Sequence, residues 1–192
     1  MQVQTAPPPA TAGVELPGSG AAGAATHQFL TFLLGEEEYG VDILRVQEIK
    51  GWEQATAIPN TPDYIKGVMN LRGTVVPIVD LRKRFALASA EYLSTTVVIV
   101  VKVEGEVATR TMGFVVDAVS DVYNVAPENL QPPPDFGVRV DTRFIRGLAM
   151  VGEKMVILLD FDRLIGHDAV FSAFDGVDET NQSATGASEK TE

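Results

Sequence analysis

Tyr64-Ile-Lys-Gly-Val-Met-Asn-Leu-Arg-Gly-Thr-Val-Val-Pro-Ile-Val-Asp80 returns eighty residues later as Phe144-Ile-Arg-Gly-Leu-Ala-Met-Val-Gly-Glu-Lys-Met-Val-Ile-Leu-Leu-Asp160. Four positions are identical, namely Ile65/Ile145, Gly67/Gly147, Val76/Val156 and Asp80/Asp160, and seven more are conservative. A second match lies upstream at an offset of 73, where Gly40-Val-Asp-Ile-Leu-Arg-Val-Gln-Glu-Ile49 aligns with Gly113-Phe-Val-Val-Asp-Ala-Val-Ser-Asp-Val122. The seven-residue difference between offsets is a longer connector in the second copy, 123–143 against 50–63, which carries Pro132-Pro133-Pro134. Such a duplication makes one small unit, repeated, the building block of the fold. The repeated Gly67 and Gly147 each follow a basic residue at a strand start, where a missing Cβ permits a bulge or a close backbone approach.

Working outward, the chain reads as β. Short runs rich in Val and Ile, separated by Gly, Pro, Asn or Asp, predict strands over 29–34, 38–43, 46–52, 65–71, 74–80, 95–103, 111–116, 119–124, 144–150 and 154–160. Hairpin loops are expected at 35–38 and 104–109, and short helices at 80–88 and 161–174. Two related halves of about five strands imply an all-β protein of two small barrels. Each half is marginal in size alone, so packing them together is expected, with a groove at the seam. The approximate division is 27–90 and 91–166 within a body of 27–166.

The ends differ in composition. Residues 1–26 are mostly Ala, Gly, Pro and Thr, and read as a disordered leader; residues 167–192 read as a flexible acidic tail. The 192 residues carry a net charge of −11, of which −1 lies in the leader and −5 in the tail. The body is therefore only mildly acidic, which makes nucleic acid a poor partner without forbidding every anion. Cysteine is absent, which excludes disulfides, thiolate nucleophiles and cysteine-ligated metals. No apolar run reaches the 18 or so residues of a membrane helix, and the start lacks a signal peptide's basic and apolar regions, so a cytoplasmic protein is expected.

No catalytic constellation emerges. Asp80 and Asp160, one per half, invite comparison with paired catalytic carboxylates. Their flanks, Asp-Leu-Arg and Asp-Phe-Asp, lack the small turn that exposes such acids, and helix capping is the expected job. His27 and His167 sit at the two ends of the body, far from a second ligand or nucleophile. Glu36-Glu37-Glu38 reads as a solvated hairpin loop, and Arg82-Lys83-Arg84 as ordinary surface. No enzyme activity, metal or cofactor is expected.

Glu38-Tyr-Gly-Val-Asp-Ile-Leu-Arg-Val-Gln-Glu-Ile49, Ile58-Pro-Asn-Thr-Pro62, Ile65-Lys-Gly67, Asn70-Leu-Arg-Gly73 and Val76-Pro-Ile-Val-Asp-Leu81 together resemble the CheW family of chemotaxis coupling proteins. Thr96-Val-Val-Ile-Val100, Gly113 to Val122 and the proline-rich connector agree, so the resemblance covers roughly 28–166. It implies two five-stranded SH3-like barrels and a non-enzymatic adaptor. The adaptor would join the helical hairpin tip of chemoreceptors to the regulatory domain of the histidine kinase CheA, with self-association in rings. The receptor groove would use Val46, Glu48, Arg72 and Val97. Gly67, Gly113, Val119 and Val122 match positions that serve coupling or fold without a clear division. An apolar furrow suits a helical hairpin, and Val46, Val97 and Ile43 could line it. Opposite charges on Glu48 and Arg72 could pair and hold the flanking loops in register. A CheV-like protein with a receiver domain is disfavoured, because the residues after 166 are too few and too polar. A kinase fragment is disfavoured because no ATP-binding domain is present, and a nucleic-acid barrel because the body is acidic.

Overall fold

A computed structural model describes residues 26–87, 91–105, 109–133 and 142–166. The strands are β1 (His27–Leu34), β2 (Glu37–Asp42), β3 (Val46–Gly51), β4 (Ile65–Leu71), β5 (Thr74–Asp80), β6 (Val97–Glu104), β7 (Thr109–Val116), β8 (Ala118–Val125), β9 (Leu130–Gln131), β10 (Ile145–Val151) and β11 (Lys154–Leu159). Two short helices, α1 (Leu81–Arg84) and α2 (Phe161–Gly166), follow β5 and β11. All ten expected strands are present. The two-residue β9 and the single 3₁₀ turns at Ile43–Arg45 and Pro127–Asn129 are additions. The leader before residue 26, the tail from 167 with His167, and residues 134–141 of the proline-rich connector lie outside the described residues.

The strands form two sheets, in the order β8-β1-β2-β11-β10-β9 (sheet I) and β3-β6-β7-β5-β4 (sheet II). Strand for strand the two orders are the same once the repeat is applied, with β9 as an extra on sheet I. The parallel pairs show the correspondence: Leu158 faces Gly40 across β11 and β2, as Ile78 faces Gly113 across β5 and β7. This makes the expected pair of SH3-like subdomains, but their boundary does not fall at 90/91. The first two strands of each repeat insert into the sheet completed by the other repeat, so each sheet draws on both halves of the chain.

Burial explains why β1, β6 and β7 read as continuous apolar runs. On β6, Ile99, Val101 and Val103 pack with Leu30, Phe32 and Leu34 of β1 into a core between the sheets. The alternate residues Val98 and Val100 turn inward to Met69, Val76, Ile78 and Val115, the interior of sheet II. Phe29 does the same in sheet I, with Val125, Ala149, Val156 and Leu158. Strands covered on both faces lose the polar alternation of a half-exposed strand. Burying the seventeen apolar side chains of the shared core, each contributing about 1.5–3 kcal/mol, makes that core the dominant force joining the two subdomains.

The duplicated aspartates cap the helices. Asp80 Oδ1 accepts from Lys83 N at 3.3 Å, and Asp160 Oδ1 accepts from Arg163 N at 3.1 Å. Two readings need correction. Glu38 is not a solvated loop residue: it lies buried on β2, accepts from Thr31 Oγ1 at 2.8 Å and pairs with Lys154 at 3.4 Å. The hairpin turn ends two residues earlier than the charge run suggests, which carries Glu38 into the strand. Nor is Arg82 ordinary surface, since it meets Asp117 at 2.6 Å with most of its side chain covered.

Candidate functional site

Glu48 and Arg72 are brought together. Glu48 sits half-buried on β3 opposite Val100, and Arg72 occupies the two-residue turn between β4 and β5. That turn is of the kind tight hairpins prefer: Arg72 has φ 53° and Gly73 φ 90°, and Gly73 N donates to Asn70 Oδ1 at 2.7 Å. A non-glycine residue with positive φ is uncommon, and here it aims the guanidinium back over β3. Arg72 Nη2 lies 3.3 Å from Glu48 Oε2, with the Arg72 side chain 84% exposed. An exposed pair of this kind contributes about 0–1 kcal/mol, so orientation is its main effect. β3 and β4 are the two edge strands of sheet II. The pair therefore reaches across the gap between the edges, as does the bridge in which Thr56 and Val68 exchange backbone hydrogen bonds at 2.9 Å.

Val46 and Val97 are not brought into contact by the ladder. Val46 faces Val101 at one end of the β3–β6 pairing and Val97 faces Gly51 at the other. Four residues of strand separate them, roughly 13 Å. Both are half-buried on the face that packs toward the core between the sheets. Ile49 sits opposite Ile99 on that same face and is 44% exposed. Sequence reasoning missed Ile49, although its partner in the repeat, Val122, was singled out. Ile43 also packs against that core.

Val119 and Val122 repeat this arrangement on β8, the edge strand of sheet I. Val119 is half-buried opposite Phe32, and Val122 is 41% exposed opposite Leu30. Apolar side chains thus fringe the inter-sheet core at the edge strands of both sheets. Gly67 and Gly113 have packing reasons of their own. A Cβ on Gly67 would stand 1.9 Å from Thr56 O, at a bulge in β4; a Cβ on Gly113 would stand 2.6 Å from Ile78 Cδ1.

An open pocket of about 420 Å³ lies beyond the end of β3, lined by Trp52, Gln54, Ala55, Ala57, Lys66 and Tyr92. The Trp52 and Tyr92 rings are 4.7 Å apart, and Tyr92 donates its hydroxyl to Asp80 Oδ2 at 2.6 Å. Burial, then the bond to Asp80 and its charge, push the Tyr92 hydroxyl well above the ordinary value of 10.0. A tyrosine that keeps its proton in the folded state while the unfolded chain ionises loses stability as pH rises past 10. Urea unfolding at pH 9 and pH 11 is expected to show a smaller loss of stability for Tyr92→Phe than for the parent. Part of the slope should remain, because Tyr39 is also raised, by burial and then by Glu37. Equal slopes in parent and variant would refute the assignment.

His27 stands exposed at the start of β1. Among the described residues no group of three or more His, Cys, Asp or Glu is placed to hold a metal ion, and no helix is long and apolar enough to cross a membrane.

Two sheets related by an internal repeat, with a charged pair at one edge and apolar fringes at the seam, define a module of two small β-barrels. The family comparison agrees: residues 28–169 match the CheW-like domain, and the chain belongs to that family. It is 50% identical over 141 residues to a chemotaxis protein CheW of Klebsiella aerogenes, covering 73% of this chain and 82% of the relative. It is 38% identical over 137 residues to a probable chemotaxis protein CheW of Rhizobium etli, covering 71% and 86%. The crystal structure of the scaffolding protein TtCheW from Thermoanaerobacter tengcongensis superposes with a TM-score of 0.65 at 34% identity, covering 72% of this chain and 92% of that one.

Proposed function

We propose that this chain is a non-enzymatic chemotaxis adaptor that couples the helical hairpin tips of chemoreceptors to the regulatory domain of the histidine kinase CheA. It would work in the cytoplasm, at membrane-associated arrays, through its partners. Family membership and relatives named for chemotaxis support the scaffold role. The observation that carries the receptor assignment is the Glu48–Arg72 pair on the edge strand β3, which on its other face bears Val46 and Ile49, with Val97 on the neighbouring β6. A helical hairpin offers an apolar ridge flanked by polar residues, and this edge offers the complement. The pair fixes approach and partner choice and contributes part of the affinity. The duplicated aspartates are engaged as helix caps, which accords with a non-enzymatic role.

The direct test is co-sedimentation with receptor cytoplasmic fragments, with and without the kinase, reading kinase autophosphorylation. Strong stimulation is expected only in the three-component mixture. Absence of stimulation there, or turnover by this protein alone, would overturn the reading. Arg72→Ala and Glu48→Lys are each expected to leave the circular dichroism spectrum unchanged and to weaken receptor binding roughly tenfold, about 1.4 kcal/mol. Parental affinity in both would remove the pair from the site.

A further inference from the structure

The chain changes sheets twice among the described residues: from β2 to β3 through the turn Ile43–Arg45, and from β7 to β8 at Asp117. Each crossover carries an ion pair. At the first, Arg45 Nη1 lies 2.6 Å from Oδ1 of Asp162, the second residue of α2. At the second, Asp117 Oδ1 lies 2.6 Å from Nε of Arg82, the second residue of α1. Arg82 and Asp162 correspond at the offset of 80. The two pairs are therefore equivalent by the repeat at their helix members, with the crossover members one position apart and the charges exchanged: base on the helix and acid on the crossover in one, the reverse in the other.

Each carboxylate also accepts a backbone N–H from the opposite sheet. Asp117 Oδ2 accepts from Gly35 N at 2.7 Å, in the β1–β2 turn of sheet I, while Arg82 follows β5 of sheet II. Asp162 Oδ1 accepts from Glu104 N at 2.7 Å, at the end of β6 in sheet II, while α2 follows β11 of sheet I. Gly35 and Glu104 correspond too, since the pairings of β1 with β8 and of β6 with β3 align the two strands at an offset of 69. The same N–H is thus met by a carboxylate arriving from either side. Charge-assisted bonds to a backbone donor are short and directional. Further charges surround the first pair, where Arg146 lies 3.4 Å from Asp42 and both line a pocket with Arg45 and Asp160.

We propose that these two charge-inverted clamps set the relative orientation of the two sheets, and so the shape of the seam between them. Arg45, Arg82, Asp117 and Asp162 are positioning residues, acting on the edge strands through the helices and crossovers they join. The core between the sheets holds them together but is apolar and non-directional; the clamps supply the angular constraint. The link to receptor binding rests on the function proposed above.

The absence of cysteine allows a clean measurement. Val75 and Met155 correspond in the repeat, are 46% and 53% exposed, and lie on β5 of sheet II and β11 of sheet I. Spin labels on Val75→Cys and Met155→Cys report the inter-sheet distance by pulsed electron resonance. Asp117→Ala with Asp162→Ala is expected to broaden the distance distribution at least twofold, while circular dichroism retains the β spectrum. Should that variant not fold, Asp117→Asn with Asp162→Asn keeps an acceptor for each N–H and removes only the ion pairs, and a lesser broadening is expected. Arg82→Asp with Asp117→Arg, which copies the polarity of the other clamp, is expected to restore a narrow distribution. An unchanged distribution in the folded alanine variant would overturn the proposal. Broadening with unaltered binding of receptor fragments would leave the clamps standing and count against the receptor seat alone.

Discussion

Residues 26–90 and 91–166, produced as separate polypeptides, are each expected to be largely unfolded and to regain the native spectrum when refolded together. The reason is the exchange of strands between repeats. The first fragment holds β1 to β5, yet in sheet II its β3 is separated from β5 and β4 by β6 and β7 of the second fragment. In sheet I its β1–β2 hairpin lies between β8 and β11, again from the second fragment. Alone, the fragment could form two isolated hairpins and an unpaired strand, and hairpins without a third strand or a packed face are marginal in water. The second fragment fares little better, because β6 loses β3, β7 loses β5, and the core between the sheets loses Leu30, Phe32 and Leu34. Mixing restores all three cores at once. Titration of one fragment with the other, read by far-ultraviolet circular dichroism, should saturate at a ratio of one. A fragment 91–166 that is folded and monomeric by itself would show that the repeat, not the interleaved pair, is the folding unit.

That expectation could not come from the repeat alone. The duplication declared equivalent positions, and alternation with turn residues located ten strands to within two residues at each end. What repetition leaves open is which copy of a strand pairs with which, because Gly40 suits Leu158 and Ile78 equally well in sequence. Pairing is decided at the crossovers, where the turn Ile43–Arg45 and Asp117 carry the chain from one sheet into the other. The two-residue β9 and the two single 3₁₀ turns carry too few residues for any periodicity to register. At the candidate site, Glu48 with Arg72 was legible because opposite charges flanked two strands of one half. Ile49 was not, since an isoleucine on a strand reads as core until its burial is known. Arg82 and Glu38 were misread for the converse reason: within a run of like charges nothing marks the member that turns inward to find Asp117 or Thr31.

Gly67→Ala is expected to be among the most damaging single substitutions in the chain, costing about 3–5 kcal/mol, a large part of the roughly 5–15 kcal/mol that holds a domain together. Gly67 has φ 120°, a conformation L side chains rarely adopt, and its Cβ would fall 1.9 Å from Thr56 O and 2.6 Å from Thr56 C. Those are backbone atoms, so relief requires breaking the Thr56–Val68 bridge that ties the segment after β3 to β4. Gly113→Ala makes the useful contrast. Its Cβ would meet Ile78 Cδ1 at 2.6 Å and Val98 Cγ1 at 2.7 Å, which are side-chain ends within the interior of sheet II. Overpacking of that kind costs about 1–3 kcal/mol and can be relieved by shortening a neighbour. Ile78→Val, which removes the offending methyl, should therefore recover part of the loss in Gly113→Ala, whereas trimming side chains around Gly67 should recover none of the loss there. Urea titrations of the four proteins, compared by midpoint and slope, decide the matter. A Gly67→Ala protein as stable as its parent, or less harmed than Gly113→Ala, would mean that the β4 bulge is not held against Thr56 as described. Loss of coupling in a Gly67 variant would then have to be sought in a partner interface and not in the closure of sheet II.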